Sequence, residues 1–224
     1  MLVAKVWKSS GRAKRAAADA SGPPPNFEFN VARVLQDGPF MFMHSVHEPD
    51  EGGEVWVTMS LIRRTAAGLM NVQRQVSARF SPEGEYCAVS TAAEPDRKLK
   101  DEAALNKAQV NAFIQLVVRE GASEHRDAFI DRGRFVTHTP GTCCRPEGLD
   151  ALVARRRPRP GLVYHGVDDI VGEGAYVAVF SCFDMDGETY RACDLLRLED
   201  GRIVEHWDVV EAVAPHTVAH NDET

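Results

Sequence analysis

Residues 190–212 read YRACDLLRLEDGRIVEHWDVVEA, two strands joined by Asp200-Gly201. A type I turn over Leu198–Gly201, with Gly201 left-handed, pairs Leu198 with Arg202. In that register Asp194 faces His206 across the ladder and Asp208 lies opposite Ala192. One face then carries Asp194, His206 and Asp208 among Tyr190, Leu196, Leu198, Val204, Val210 and Ala212. The other carries Arg191, Arg197, Glu205 and Glu211 beside Cys193, Leu195, Trp207 and Val209. Charge on the more apolar face is costly unless it is paired or used, so the two carboxylates and the imidazole are the candidate functional groups. A two-residue loop would shift the pairing by one and separate Asp194 from the other two.

Upstream, the chain holds a degenerate internal repeat. Asn30–Ser45 (NVARVLQDGPFMFMHS) aligns with Gly166–Ser181 (GVDDIVGEGAYVAVFS), and Gly53–Arg63 (GEVWVTMSLIR) with Gly187–Arg197 (GETYRACDLLR). Such self-similarity predicts two copies of one supersecondary plan. The copies are unequal. Ser60 stands where the second copy has Asp194, Val72 where it has His206, and Arg74 where it has Asp208. Any chemistry is therefore expected in the second copy.

Hydrophobic alternation and turn residues place strands at about 27–36, 39–47, 54–64 and 69–80 in the first copy, after a helix over 2–20. The charged run EPDRKLKD marks a linker. The second copy opens with a helix over 102–120, whose apolar stripe is Ala108, Ala112, Phe113, Leu116 and Val117. A short helix (SEHRDAFID), the extended piece Phe135–Pro140 and a third helix (PEGLDALVARRR) follow. Strands at about 162–171, 175–184, 189–198 and 203–213 complete an antiparallel sheet. The expected organisation is a partial unit over 1–93, a linker over 94–101, a complete domain over 102–214 and a flexible tail over 215–224. Helices on one face of a curved antiparallel sheet make an α+β fold enclosing a pocket, into which the polar cluster would point. Phe113, Tyr190 and Leu196 are expected to line it.

Composition narrows the partners. A net charge of −7 argues against a nucleic-acid binder, which would show a basic face. No apolar run approaches a membrane span, Ala175–Phe180 being typical of the longest. Five cysteines, an odd number without framework spacing, read as a reduced cytoplasmic protein, and the basic N-terminus lacks the apolar core of a secretory signal.

The combination FVTHTP, a helix and DLLRLEDGRIVEHWDVVEAV resembles the SnoaL-like polyketide cyclase family of the nuclear transport factor 2-like superfamily, over about residues 103–213. The resemblance implies a cone-shaped α+β fold and, in the best-known members, ring closure by intramolecular aldol condensation without metal or organic cofactor. It places the last-strand acid/base on Asp208 and a polar partner on Asp194. The Gln-His-Asn-Pro common in relatives falls on Thr137–Pro140, where only His138 and Pro140 are kept.

Aldol closure needs one proton removed next to a carbonyl and one delivered to the acceptor oxygen. Asp208, in an apolar pocket, is the expected base, its pKa raised by desolvation. His138 or His206 would donate the second proton or orient the first group, with Asp194 holding the tautomer of His206. The expected catalytic set is thus Asp208, His138, Asp194 and His206, with no metal or cofactor and a ketone-bearing, polyketide-like small molecule as ligand. A His138/His206/Asp208 metal set is a rival unsupported by any spaced motif such as His-Glu-x-x-His. No Gly-x-Ser-x-Gly elbow suggests a hydrolase. The alternative of another class is a non-catalytic ligand-binding or dimerisation module. In it Asp194 and His206 are a satisfied cross-strand pair and His138 steadies a loop. Either way the sheet of the first copy is expected to pack on the second as an intrachain pseudo-dimer, or a homodimer forms. Trp56, Met41 and Met43 would meet Trp207 and Val209 at that seam.

Overall fold

The computed structural model describes residues 29–47, 55–80, 100–138 and 159–213. The helices expected over 2–20 and 146–157, the linker up to residue 99, Cys143-Cys144 and the tail lie outside them. The first half is a four-stranded antiparallel meander of β1 (Phe29–Asp37), β2 (Phe40–His47), β3 (Val55–Arg64) and β4 (Met70–Phe80), paired in sequence order. The second half opens with α1 (Lys100–Phe113), which runs on as a π-helical segment, Ile114–Arg119. A 3-10 turn at Ser123–His125 leads into α2 (Arg126–Phe129) and the two-residue strand β5 (Val136–Thr137). β6 (Leu162–Glu173), β7 (Tyr176–Met185), β8 (Glu188–Glu199) and β9 (Arg202–Ala212) follow, in a five-stranded sheet of order β5-β9-β8-β7-β6.

Backbone chemistry explains the hairpins. Gly38 and Gly174 take positive φ (59° and 55°) at the first position of two-residue turns, between β1 and β2 and between β6 and β7. Asp186-Gly187 and Asp200-Gly201 have positive φ at both residues, the signature of the type I′ turn favoured by Asp-Gly. Two bulges on β6, at Tyr164/Gly166 and Val167/Asp169, bend that strand.

The β8–β9 register departs from expectation and keeps its consequence. The turn closes on Glu199 and Arg202, a two-residue loop rather than a type I turn with Leu198 opposite Arg202. That alone would flip β9 relative to β8. A bulge then intervenes: Leu198 pairs with Ile203 and Arg197 with Glu205, leaving Val204 as the extra residue. Beyond it Asp194 lies opposite Asp208 and Leu196 opposite His206. The pairing has slipped by two from expectation, so all three polar groups still share one face.

That face is the one α1 covers. Val110, Phe113, Ile114, Val117, Val118, Phe129, Ile130 and Phe135 pack on Val177, Val179, Leu196, Leu198 and Ile203. The stripe of α1 differs from the sequence reading: Ala108 and Leu116 are exposed, while Asn106, Val110 and Ile114 are buried. Asn106 points inward because its side-chain amide donates to the Gly174 carbonyl (3.0 Å). Asp37 on β1 accepts from Lys107 Nζ (2.6 Å) and from Gly172 N (3.1 Å), tying β1, α1 and β6 at one corner.

The opposite face packs on the first sheet. Leu35, Phe42, Val46, Val57, Met59, Leu61 and Val76 form one buried cluster with Val171, Tyr176, Ala178, Phe180, Cys193, Leu195, Trp207 and Val209. Each large side chain so buried contributes ~1.5–3 kcal/mol of hydrophobic stabilisation. Trp207 and Val209 sit at the seam as expected. Met41, Met43 and Trp56 do not, because the two-residue period gives the seam to their neighbours Phe42 and Val57. Trp56 instead lies 5.5 Å from the Arg79 guanidinium.

Candidate functional site

Asp194, His206 and Asp208 are brought together by β8 and β9. Their relative exposures are 3%, 0% and 2%, and one donor atom from each lies within 4.8 Å of the others. Asp194 and Asp208 are cross-strand partners; His206 is diagonal to Asp194, within reach because diagonal neighbours on one face can touch. His206 Nε2 lies 2.9 Å from Asp194 Oδ1. A carboxylate only accepts, so Nε2 carries a proton.

The second ring nitrogen is held by β5, a two-residue strand that hydrophobic alternation cannot reveal. β5 pairs parallel with β9, Thr137 beside His206, and Thr137 Oγ1 lies 3.1 Å from His206 Nδ1. In the neutral ring the threonine hydroxyl donates to Nδ1, which fixes both the ring orientation and the tautomer. Thr137, Asp194, His206 and Asp208 thus form one buried polar set above the apolar cluster of Leu196 and Leu198.

His138 is not part of it. Alternation along β5 sends Thr137 toward His206 and His138 to the opposite face of the sheet. There His138 Nε2 donates to Glu205 Oε1 (2.7 Å) and its ring stacks on Trp207 (centroids 4.7 Å apart, 12° between planes). The assignment of His138 to the catalytic set, and with it the His138/His206/Asp208 metal set, is corrected accordingly. Among the described residues, the geometry that could hold a cation is Asp194, His206 and Asp208.

The expected ligand-lining residues divide. Phe113 and Leu196 are packed core, Phe113 against Phe129 with ring centroids 5.9 Å apart. Tyr190 stacks on Phe183 (5.4 Å), and its hydroxyl donates to Glu188 Oε2 (2.8 Å). Two concavities lined by described residues lie elsewhere. One of about 380 Å³ has Arg74, Asp168, Cys182 and Arg191 in its wall, and the other is at the β1–β2 and β3–β4 turns.

On the seam face a second buried polar system backs the first. Arg33 of β1 places its guanidinium 4.5 Å from the Tyr176 ring centroid and 4.4 Å from that of Trp207, a desolvated cation–π wedge. Arg33 lies opposite His44, whose burial, with the charges of Arg33 and His138, pulls its pKa down to about 3. Glu205 Oε2 accepts from Arg197 Nε (2.7 Å). Burial opposes the charge of Arg197, but its bonds to Glu199 and Glu205 outweigh this and raise its pKa. Sequence reasoning missed Arg33, and treated Thr137 only as a departure from a motif. The one available signal was the alternation Thr137-His138 against Glu205-His206.

These features define an antiparallel-sheet α+β protein with a buried carboxylate–imidazole–carboxylate cluster on the helix-covered face of its second sheet. No protein-family model matches the chain, and no curated protein matches it. Solved structures do. IdmH from Streptomyces antibioticus is 22% identical, over 47% of this chain and 91% of its own, with a TM-score of 0.40. A SnoaL-like polyketide cyclase from Agrobacterium tumefaciens is 12% identical, over 47% and 91%, at 0.39. An NTF2-like protein of unknown function from Mesorhizobium loti is 19% identical, over 53% and 97%, at 0.44. The structural neighbours thus include SnoaL-like and NTF2-like proteins over about half of this chain, and identity this low assigns neither reaction nor substrate. Among the described residues no helix is long and apolar enough to cross a membrane.

Proposed function

We propose that the second half of the chain is a SnoaL-like enzyme performing cofactor-independent acid–base chemistry, aldol condensation or a related isomerisation, on a ketone-bearing small molecule. The observation that carries the proposal is Asp194 facing Asp208 across the β8–β9 ladder, with His206 bonded to Asp194, all three buried. Asp208 removes the proton next to the carbonyl. The resulting enolate carbon attacks the acceptor carbonyl, and the proton now held on Asp208 passes to the new alkoxide beside the His206–Asp194 pair, which returns Asp208 to its starting state. Two carboxylates at the cluster disfavour an anionic substrate and suit a neutral, polycyclic or polyketide-like ketone.

The first sheet reads as a partial copy of the same unit that takes the place of a partner subunit. The same-position turn glycines Gly38 and Gly174, and the two meanders packed through one apolar cluster, support that reading. One observation favours a non-catalytic ligand-binding or dimerisation module instead: both nitrogens of His206 already have partners within the protein. A thermal-shift panel of aromatic and alicyclic ketones on wild type and Asp208→Asn, followed by turnover of any ketone that binds, separates the two. Wild-type turnover by Asp208→Asn removes Asp208 as the base, and a wild-type protein that binds ketones but turns none over removes the enzyme assignment.

A further inference from the structure

We propose that His138 and Glu205 are positioning residues: from the far side of the sheet they lock the register of β5 on β9 and so hold Thr137 against Nδ1 of His206. The inference rests on the reading of Asp194, His206 and Asp208 as the reacting cluster, and extends it to residues that touch none of the reacting atoms.

The argument begins with the length of β5. Two residues pair with β9, and the backbone bond His138 N to His206 O (2.7 Å) extends the ladder by one contact. So short an edge strand is weakly specified in register. Because side chains alternate, a slip of one residue would carry Thr137 to the seam face and swing His138 toward His206. His206 would then lose the hydroxyl that sets its tautomer.

What opposes the slip lies on the seam face. His138 donates to Glu205 Oε1, and both side chains are buried. Glu205 is held in turn by Arg197 Nε, and the His138 ring lies flat on Trp207. The register that makes these contacts is the one that puts Thr137 beside His206. Arg33, wedged against Trp207 from the first sheet, backs the stack. The first sheet therefore bears on the reactive imidazole through Trp207 and His138 without contributing a group to it.

The test is the protonation pattern of His206, read from long-range proton–nitrogen NMR correlations of the histidine rings in the full chain. The His206 signals are assigned by their loss in His206→Gln. Wild type is expected to show one pyrrole-like nitrogen (Nε2) and one pyridine-like nitrogen (Nδ1). In His138→Ala the two nitrogens should shift toward averaged values, the tautomer ratio falling about five- to tenfold, as expected for losing one hydrogen bond. His138→Gln, whose amide can still donate to Glu205, should restore the wild-type pattern. An unchanged His206 pattern in folded His138→Ala overturns the proposal. Failure of His138→Gln to restore the pattern does the same. Glu205→Leu, of similar volume and without an acceptor, serves if His138→Ala does not fold: it removes the acceptor shared by His138 and Arg197, and an unchanged His206 pattern in it overturns the proposal. The measurement uses no substrate, so its outcome is separate from that of the catalytic reading, which turnover of Asp208→Asn decides.

Discussion

His44 gives the molecule a titration that its fold should make visible in solution. It sits on β2 facing the seam, fully buried, opposite Arg33 on one neighbouring strand and Met59 on the other. Burial is the main cause of its low pKa of about 3, and the positive charges of Arg33 and His138 add to it. In the unfolded chain the same ring titrates near 6.5. Between those values the unfolded state binds a proton that the folded state refuses. Stability contributed by the neutral ring is therefore complete above about pH 6.5, falls as pH drops through the window, and stops falling below about pH 3. The slope is about 1.4 kcal/mol per pH unit, so roughly 2 kcal/mol is lost by about pH 5. Against a typical total of about 5–15 kcal/mol that is a large share.

The assay is urea denaturation of wild type and His44→Gln at several pH values from about 7.5 to about 5, with extrapolated stabilities compared at each. Other groups also titrate. His47, its pKa lowered by burial, loses stability with the same sign. Those contributions are common to both proteins and cancel in the difference. The wild-type-minus-variant difference should shrink by about 2 kcal/mol between about pH 7 and about pH 5. A difference that stays level across that range refutes the reasoning, since the ring would then be titrating alike in both states.

Other perturbations probe other levels of the structure. Asp208→Asn should cut turnover by roughly 10²–10⁴-fold, the usual range for one acid–base group, while ketone-induced thermal shifts persist. Phe42→Ala empties a fully buried site at the seam and should cost ~3–5 kcal/mol. Because the cluster spans both sheets, unfolding monitored by tryptophan fluorescence and by circular dichroism should move together; two separated transitions would show that the sheets fold independently. Gly201→Ala meets open space but must hold φ of 72°, and should lower stability by about 1–2 kcal/mol in thermal unfolding.

Much of this architecture was legible because its signals are local. Alternating apolar residues bounded by Asp-Gly, Gly-Pro and Gly-Ala located the eight long strands to within a residue or two. What failed depended on contacts far apart in sequence. Asn106 turns a polar residue inward because a carbonyl at Gly174 waits for it, and that rotates the buried stripe of α1 away from Ala108 and Leu116. Arg33 is buried because Tyr176 and Trp207 supply two aromatic faces, and no periodicity in β1 records that. His138 was drawn to the site by its motif, whereas its side of the sheet follows from a parallel pairing only two residues long.

The β8–β9 hairpin shows how a site can be legible while its geometry is not. Strand pattern fixes a residue only to a face, and turn type and bulges enter only through parity. Asp200-Gly201 forms the two-residue turn, which by itself would put Asp194 on the face opposite His206 and Asp208. Val204, looped out as the bulge, restores the parity and adds one residue to the one-residue shift made by the turn, so that β9 moves from Asp194 facing His206 to Asp194 facing Asp208. The slide sets what the site can do. With His206 directly across, Asp194 would be one half of an ordinary cross-strand pair, and Asp208 would look onto Ala192. With Asp208 across and His206 diagonal, two carboxylates and one imidazole converge within 4.8 Å. The two-residue turn and the one-residue bulge beside it thus act together: either alone would leave Asp194 on the other face, and both together bring the three groups into one cluster.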